Sequence, residues 1–240
     1  MTPIVFVHGF MGGSSQWHLQ YADIGQNHKL ICVDLPGFGK RNKEAAATSI
    51  KGFADSVIAE LDGKGIDQFH LMGHSMGGMI AQQIVHQTPQ RVKRLVLYGT
   101  GPVGVLPGRF ETIAQSKARG RQDGIKQTAR RIAATWFLQG QAAEHYEACA
   151  SLAELTTQKA FESGLDAMEA WSGEAFLNAV QSKTLIVWGD KDRTYQWPQV
   201  EKLWRSIPDA ELAVVPGCAH AVHMEKPDLL NRILLDFLRC

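Results

Sequence analysis

The chain has 240 residues, 45% of them hydrophobic, which is enough to bury the core of one large domain. Its 25 Lys and Arg residues balance 24 Asp and Glu residues, so charge gives no reason to expect nucleic acid or an anionic membrane as partner. No apolar stretch approaches the roughly 18 residues of a membrane span, and the first residues lack a basic leader. We therefore expect a cytoplasmic protein with a small-molecule partner.

Short apolar runs that end at a glycine or a turn recur along the chain, as is typical of parallel strands buried on both faces. Amphipathic stretches separate them, such as Ser49–Gly65 and the terminal Pro227–Cys240. This alternation predicts a doubly wound α/β sheet. The predicted strands, about six in number, are Ile4–Val7, Leu30–Val33, Phe69–Met72, Leu95–Tyr98, Leu185–Trp188 and Leu212–Val215.

One interval interrupts the alternation, because roughly eighty residues without a convincing strand separate Leu95–Thr100 from Thr184–Gly189. A crossover between parallel strands needs only one helix, so the surplus predicts an inserted helical cap. We predict a core of residues 1–100 and 182–240 and a cap of residues 101–181. The predicted cap helices are Phe110–Ala118, Ile125–Leu138, Ala142–Glu154 and Leu165–Trp171.

The sequence from Gly73 to Gly77, GHSMG, fits the pattern G-x-S-x-G between a predicted strand and a predicted helix. In that context the pattern forms a nucleophile elbow, a tight turn that holds Ser75 in strained backbone geometry. Glycine is needed two residues before and after the serine because side chains there would meet neighbouring backbone. Taken alone, the motif also fits an ordinary glycine-rich turn.

A serine hydroxyl becomes a good nucleophile when a base takes its proton and a carboxylate orients that base. Asp190 and Asp192 follow one later predicted strand, and His220 and His223 follow another. The carboxyl ends of parallel strands meet at one edge of the sheet, where ligands bind. The order Ser, Asp, His therefore predicts a catalytic triad, with two candidates each for the acid and the base.

Five motifs in order, VHGF, DLPGFG, GHSMGG, WGDKD and GCAHAVHMEKP, resemble the α/β-hydrolase superfamily nearly from end to end. The resemblance is to its capped branch of small esterases, lactonases, carbon–carbon bond hydrolases and cofactor-free haloperoxidase-like enzymes, including esterases that act on pimeloyl methyl esters. The sequence starts almost directly at the predicted strand before HGF, so we expect the N-terminal β-hairpin usual in that family to be absent. This difference also predicts about six parallel strands.

Matched position by position, the resemblance implies that Ser75 is the nucleophile, His220 the base and Asp192 the orienting acid. It also implies that the backbone N–H groups of Phe10 and Met76 form an oxyanion hole. His223 and Asp190 remain as alternatives for the base and the acid.

Substrate contacts are predicted less directly. His74 flanks the serine and could touch substrate or serve a buried structural role. Trp136 is one of several cap aromatics that pack the cap on the core or line the pocket. Between Arg109 and Arg131 lie seven basic residues, which favour a solvated helix face. One or two of them facing inward would bind a substrate carboxylate.

The predicted function is a serine hydrolase that cleaves a small carboxylic ester, thioester or lactone through an acyl-serine intermediate. A carbon–carbon bond hydrolase or a pyruvate-eliminating lyase of the same fold are alternatives, and a non-catalytic small-ligand binder is a third. Four scattered cysteines and unclustered histidines match no metal-site spacing, so we expect neither metal nor cofactor. The sequence is compatible with a homodimer and does not decide the oligomeric state.

Overall fold

The computed structural model describes residues 2–26, 28–105 and 112–239. Within them lies one sheet of six parallel strands in the order β2-β1-β3-β4-β5-β6. The prediction of a doubly wound α/β fold with six parallel strands is confirmed. The strands are β1 Ile4–Val7, β2 Leu30–Val33, β3 Phe69–His74, β4 Val92–Tyr98, β5 Lys183–Gly189 and β6 Glu211–Val215.

Helices cover both faces of the sheet. Along β1, Val5 packs in an apolar cluster with α2 and α3, whereas Ile4 and Phe6 pack on the opposite face against α10. This alternation follows from the two-residue repeat of a strand. None of the described helices combines the length and apolar character needed to cross a bilayer. The α-helices are α1 His18–Asp23, α2 Ile50–Gly63, α3 Met76–Gln87, α4 Ile113–Asp123, α5 Ile125–Thr135, α6 Tyr146–Ala153, α7 Gln158–Glu169, α8 Trp197–Ser206, α9 Val222–Glu225 and α10 Pro227–Leu238.

Helices α4 to α7 lie in the segment between β4 and β5, residues 99–182, which we call the helical segment. Helix α7 begins seven residues before the predicted Leu165, because the hydroxyl of Thr157 accepts a hydrogen bond from the N–H of Ala160 (3.1 Å) and caps the helix there. The predicted start at Phe110 lies outside the described residues. The division into a core and a cap of residues 101–181 stays a prediction.

The strand order reverses between β1 and β3, which are neighbours in the sheet although β2 lies between them in the chain. Ligands of open α/β sheets bind beyond the carboxyl ends of strands at such a reversal. The loop containing Phe10 follows β1, and Ser75 follows β3. The two loops pack closely, since a Cβ at Gly77 would lie 2.3 Å from the carbonyl oxygen of Val7. Only glycine fits at position 77.

Candidate active site

Ser75 lies at the sharp turn between β3 and α3, with φ 57° and ψ −122°. A positive φ is strained for a residue other than glycine, and surrounding contacts must hold it. The N–H of Ser75 donates to the carbonyl of Tyr98 (3.0 Å), and the Thr100 hydroxyl donates to the carbonyl of Ser75 (2.8 Å). The end of β4 therefore fixes the serine backbone at the edge of the sheet.

Asp192 and His220 form a buried pair beyond the ends of β5 and β6. Asp192 Oδ2 lies 2.8 Å from His220 Nδ1, and its other oxygen accepts hydrogen bonds from the N–H groups of Thr194 (2.7 Å) and Tyr195 (3.2 Å). Because a carboxylate only accepts, Nδ1 carries the imidazole proton and Nε2 is left with a lone pair. This tautomer can take a proton from a nucleophile.

Asp190, the alternative acid, has other partners. It accepts a hydrogen bond from the N–H of Gly217 (2.6 Å) and pairs with Lys191 (3.2 Å). The structure thus brings Asp192, rather than Asp190, to the imidazole of His220.

Ser75 and His220 line the same cavity, whose volume is about 410 Å³. Phe10, Trp136 and His74 also line it, together with a mainly apolar wall. The described contacts include no hydrogen bond between the Ser75 hydroxyl and His220. A cavity of this size suits a small molecule.

His223, the alternative base, is bonded at both ring nitrogens. The Tyr98 hydroxyl donates to the carbonyl of His220 (2.7 Å), so it accepts from His223 Nδ1 (2.9 Å). His223 Nε2 then accepts from the side-chain amide of Gln16 (3.4 Å). Burial, with a smaller contribution from His220, lowers the pKa of His223 to about 3. His223 is therefore a neutral, fully engaged histidine beside the cavity.

His74 is buried between two rings. It stacks on Tyr98 with centroids 4.4 Å apart and lies 4.5 Å from the ring of His220. Its Nε2 lies 3.2 Å from the carbonyl oxygen of His220 and donates to it. Burial and the neighbouring His220 lower its pKa well below 6.5. His74 thus borders the cavity and holds the His220 backbone; substrate contact by His74 stays a prediction.

The predicted oxyanion donors lie on either side of the serine. Neither the N–H of Phe10 nor that of Met76 donates to another group of the described residues. Met76 opens α3, where the helix dipole is positive. The Phe10 loop is held by His8, whose Nδ1 donates to Gly9 O (2.8 Å) and whose Nε2 accepts from the N–H of Leu35 (3.0 Å). Burial lowers the pKa of His8 and keeps it neutral.

Four basic residues of the helical segment, Lys117, Arg119, Arg121 and Arg130, form ion pairs with acidic side chains of the same segment. Arg131 lines the cavity. Arg109 lies outside the described residues. A carboxylate-binding role for these arginines stays a prediction.

Two tyrosines at the site, Tyr98 and Tyr195, are not predicted from the sequence. Tyr98 is fully buried and ends β4, so the rule that ligand-side groups follow strand ends could have indicated it. Tyr195 stacks on the imidazole of His220 with centroids 5.7 Å apart, and no local pattern distinguishes it. Within residues 2–26, 28–105 and 112–239, no group of three or more His, Cys, Asp or Glu side chains is arranged to hold a metal ion.

Acidification should destabilise the fold, because His74 and His223 are held neutral in it. Below about pH 6.5 these two histidines bind protons in the unfolded chain but stay neutral in the folded chain. Their contribution to the free energy of unfolding is therefore complete above pH 6.5 and is lost as the pH falls towards 3. For His223 the loss at about pH 5 is about 2 kcal/mol.

Urea unfolding midpoints at about pH 7.5 and about pH 5 would measure this effect. His223→Asn should reduce the difference between them. His28→Gln, at a histidine outside the network, should preserve it. Equal stability of the unaltered protein at the two pH values would contradict the prediction.

A family model described as "alpha/beta hydrolase fold" matches residues 2–227. The chain belongs to the α/β-hydrolase family. A 2-hydroxy-6-oxo-6-phenylhexa-2,4-dienoate hydrolase from Burkholderia cepacia is 30% identical to it over 255 aligned positions, covering 98% of this chain and 87% of the relative. Together they identify this α/β hydrolase as an enzyme.

Two solved structures share the fold of this α/β hydrolase. The enol-lactonase from Burkholderia xenovorans LB400 has a TM-score of 0.91 at 20% identity, covering 100% of this chain and 92% of that one. A thermophilic esterase from Thermogutta terrifontis has a TM-score of 0.88 at 22% identity, covering 100% and 90%. At these identities the likeness shows the fold alone.

Proposed function

We propose that this enzyme is a serine hydrolase that cleaves a small carboxylic ester, thioester or lactone through an acyl-serine intermediate. The observation that carries the proposal is the arrangement at one cavity. A strained serine and an imidazole whose Nδ1 is fixed by a buried carboxylate both line it. This combination of groups activates a hydroxyl at neutral pH.

The mechanism assigns one role to each group. His220 Nε2 takes the proton of the Ser75 hydroxyl, whose oxygen attacks the substrate carbonyl. The N–H groups of Phe10 and Met76 stabilise the negative oxygen, and losing one such donor typically costs about 3–4 kcal/mol. His220 then protonates the leaving alcohol, thiol or enol, and water releases the acid from Ser75 by the same steps in reverse order. Asp192 keeps the imidazole in its tautomer throughout.

Carbon–carbon bond hydrolysis is a second candidate, which the Burkholderia cepacia relative favours, since its name gives a 2-hydroxy-6-oxo-6-phenylhexa-2,4-dienoate as substrate. The same nucleophile and base could serve that reaction. The mainly apolar cavity of about 410 Å³ would suit an ester or a substrate of this kind.

A substrate panel would separate the two candidates. It would contain p-nitrophenyl acetate and butyrate, a short acyl thioester, a lactone and the dienoate named for the relative. We expect turnover of at least one ester, thioester or lactone, with a mass increase on Ser75 that corresponds to replacement of its hydroxyl hydrogen by the acyl group when the reaction is quenched early. Turnover of the dienoate alone would replace the proposal by the second candidate, and turnover of none would refute both.

A further inference from the structure

The carboxylate of Glu225 joins two distant parts of the chain. Its Oε1 accepts a hydrogen bond from the N–H of Leu138 (2.7 Å), just beyond α5 in the helical segment. Its Oε2 accepts one from the N–H of Ala219 (2.6 Å), the residue that precedes His220. One partly buried side chain therefore bonds both the helical segment and the loop that carries the imidazole.

The residue on the other side of His220 is attached to the same place. The N–H of Ala221 donates to the carbonyl of Trp136 (2.8 Å), at the end of α5. Both chain neighbours of His220 are thus bonded to residues 136–138, one directly and one through Glu225. Trp136 also lines the cavity, so this attachment point borders the site itself.

Apolar packing supports the two polar links. Met224 and Ala221 belong to one buried cluster with Phe137 and Cys149 of the helical segment. The sulfur atoms of Met224 and Cys149 are 3.4 Å apart. The His220 loop and the end of α5 therefore share a small core of their own, separate from the clusters that cover the sheet.

These contacts have a mechanical consequence. Tyr98 and His74 hold the His220 carbonyl from the sheet side. On the other side, Trp136 of the helical segment accepts the N–H of Ala221, and Glu225, itself bonded to Leu138 of that segment, accepts the N–H of Ala219. Displacement of the end of α5 would break its bonds to Glu225 and Ala221 or move the imidazole of His220 with it. Only a carboxylate offers two acceptors with no donor, so a glutamine at 225 would present its NH₂ to one of the two N–H groups.

We propose that Glu225 is a positioning residue that couples the end of α5 to the backbone of His220, so that the base is aligned only while this end is docked. The inference rests on the proposed function, because it assumes that His220 is the base. Loss of one hydrogen bond to a charged group shifts a docking equilibrium by about 10- to 100-fold. When docking of the end of α5 decides the fraction of enzyme in which His220 is aligned, that shift lowers kcat. The cavity contacts that set KM are unchanged.

The test compares Glu225→Gln with Asp190→Asn. Asp190 also accepts an N–H of the His220 loop, from Gly217, but has no described contact with the helical segment. On the best ester of the panel, we expect Glu225→Gln to lower kcat about 10-fold or more with KM changed less than about twofold. Asp190→Asn should leave both unchanged. If Glu225→Gln fails to fold, Glu225→Asp provides the same test, because the aspartate side chain is too short to reach both N–H groups.

Amide hydrogen exchange provides a readout that does not need turnover. In Glu225→Gln, peptides containing Leu138 and Ala219 should both exchange faster, and in Asp190→Asn the Leu138 peptide should not. Unchanged kcat in Glu225→Gln, faster exchange at only one segment, or an equal loss of kcat in Asp190→Asn would each overturn the inference. If no substrate of the panel is turned over, the proposed function fails while the exchange result still decides the coupling.

Discussion

Replacing Ser75 by alanine should lower kcat for ester hydrolysis by about 10⁴-fold or more, to the level left by the oxyanion donors and binding alone. The reason is that no acyl intermediate can form without the hydroxyl oxygen. Steady-state hydrolysis of the best ester, together with intact-protein mass after quenching, would measure the loss of turnover and of the acyl adduct.

Ser151→Ala provides the matched control, because Ser151 lies on α6 with its hydroxyl bonded to the exposed Glu147. It should keep full activity. The Ser75→Ala protein should retain the circular dichroism spectrum and unfolding midpoint of the parent. Undiminished turnover by folded Ser75→Ala would reject covalent catalysis by this residue.

Replacing Asp192 by asparagine should lower kcat by about 10³- to 10⁴-fold. The N–H groups of Thr194 and Tyr195 would keep the amide oxygen where Oδ1 is now, which turns the NH₂ towards His220 Nδ1. An NH₂ donor there forces the imidazole proton onto Nε2. In that tautomer His220 cannot take the proton of Ser75.

Asp190→Asn is the control for this change as well, because it alters an aspartate two residues away that does not touch the imidazole. We expect its kcat to stay within about twofold of the parent at all pH values. A severe loss in Asp190→Asn with an active Asp192→Asn would reverse the two assignments. The pH dependence of kcat/KM should be measured in the parent, Asp192→Asn and Asp190→Asn proteins, because it shows which aspartate affects the titration of the base.

The candidate nucleophile could be predicted from the sequence because its signal is local. Strand, tight turn and helix follow one another within a few residues, and the steric demand at Gly73 and Gly77 leaves a visible pattern. The strands are equally local, since burial on both faces makes each a short apolar run. The resemblance to the α/β-hydrolase family also indicated Asp192 as the acid and His220 as the base.

The sequence motif alone did not distinguish two aspartates as the acid or two histidines as the base, because the side chains of residues close together in a turn can point in different directions. The structure separates them by tertiary contacts: His223 is occupied by Tyr98 and Gln16, and Asp190 by Gly217. Such contacts join residues far apart in the chain.

Glu225 illustrates the limit most clearly. It bonds Leu138 across 87 positions, and Tyr98 reaches the His220 carbonyl across 122. A glutamate in a short helix is typical of a solvated surface, and one sequence contains no record of which pairs meet. Helix α7 was misplaced for a different reason, since a single threonine cap decided where it begins.

The adjacency of β4 and β5 in the sheet has a consequence for how this chain can diverge. A segment that departs from one strand and rejoins its immediate neighbour can gain or lose residues at an entropic cost that grows only with the logarithm of its length. Insertions and deletions in the helical segment can therefore change substrate preference while the hydrogen bonds between β4 and β5 keep their register. The part least free to change in length is the end of α5, where Trp136 bonds the loop of His220 directly and Leu138 bonds it through Glu225.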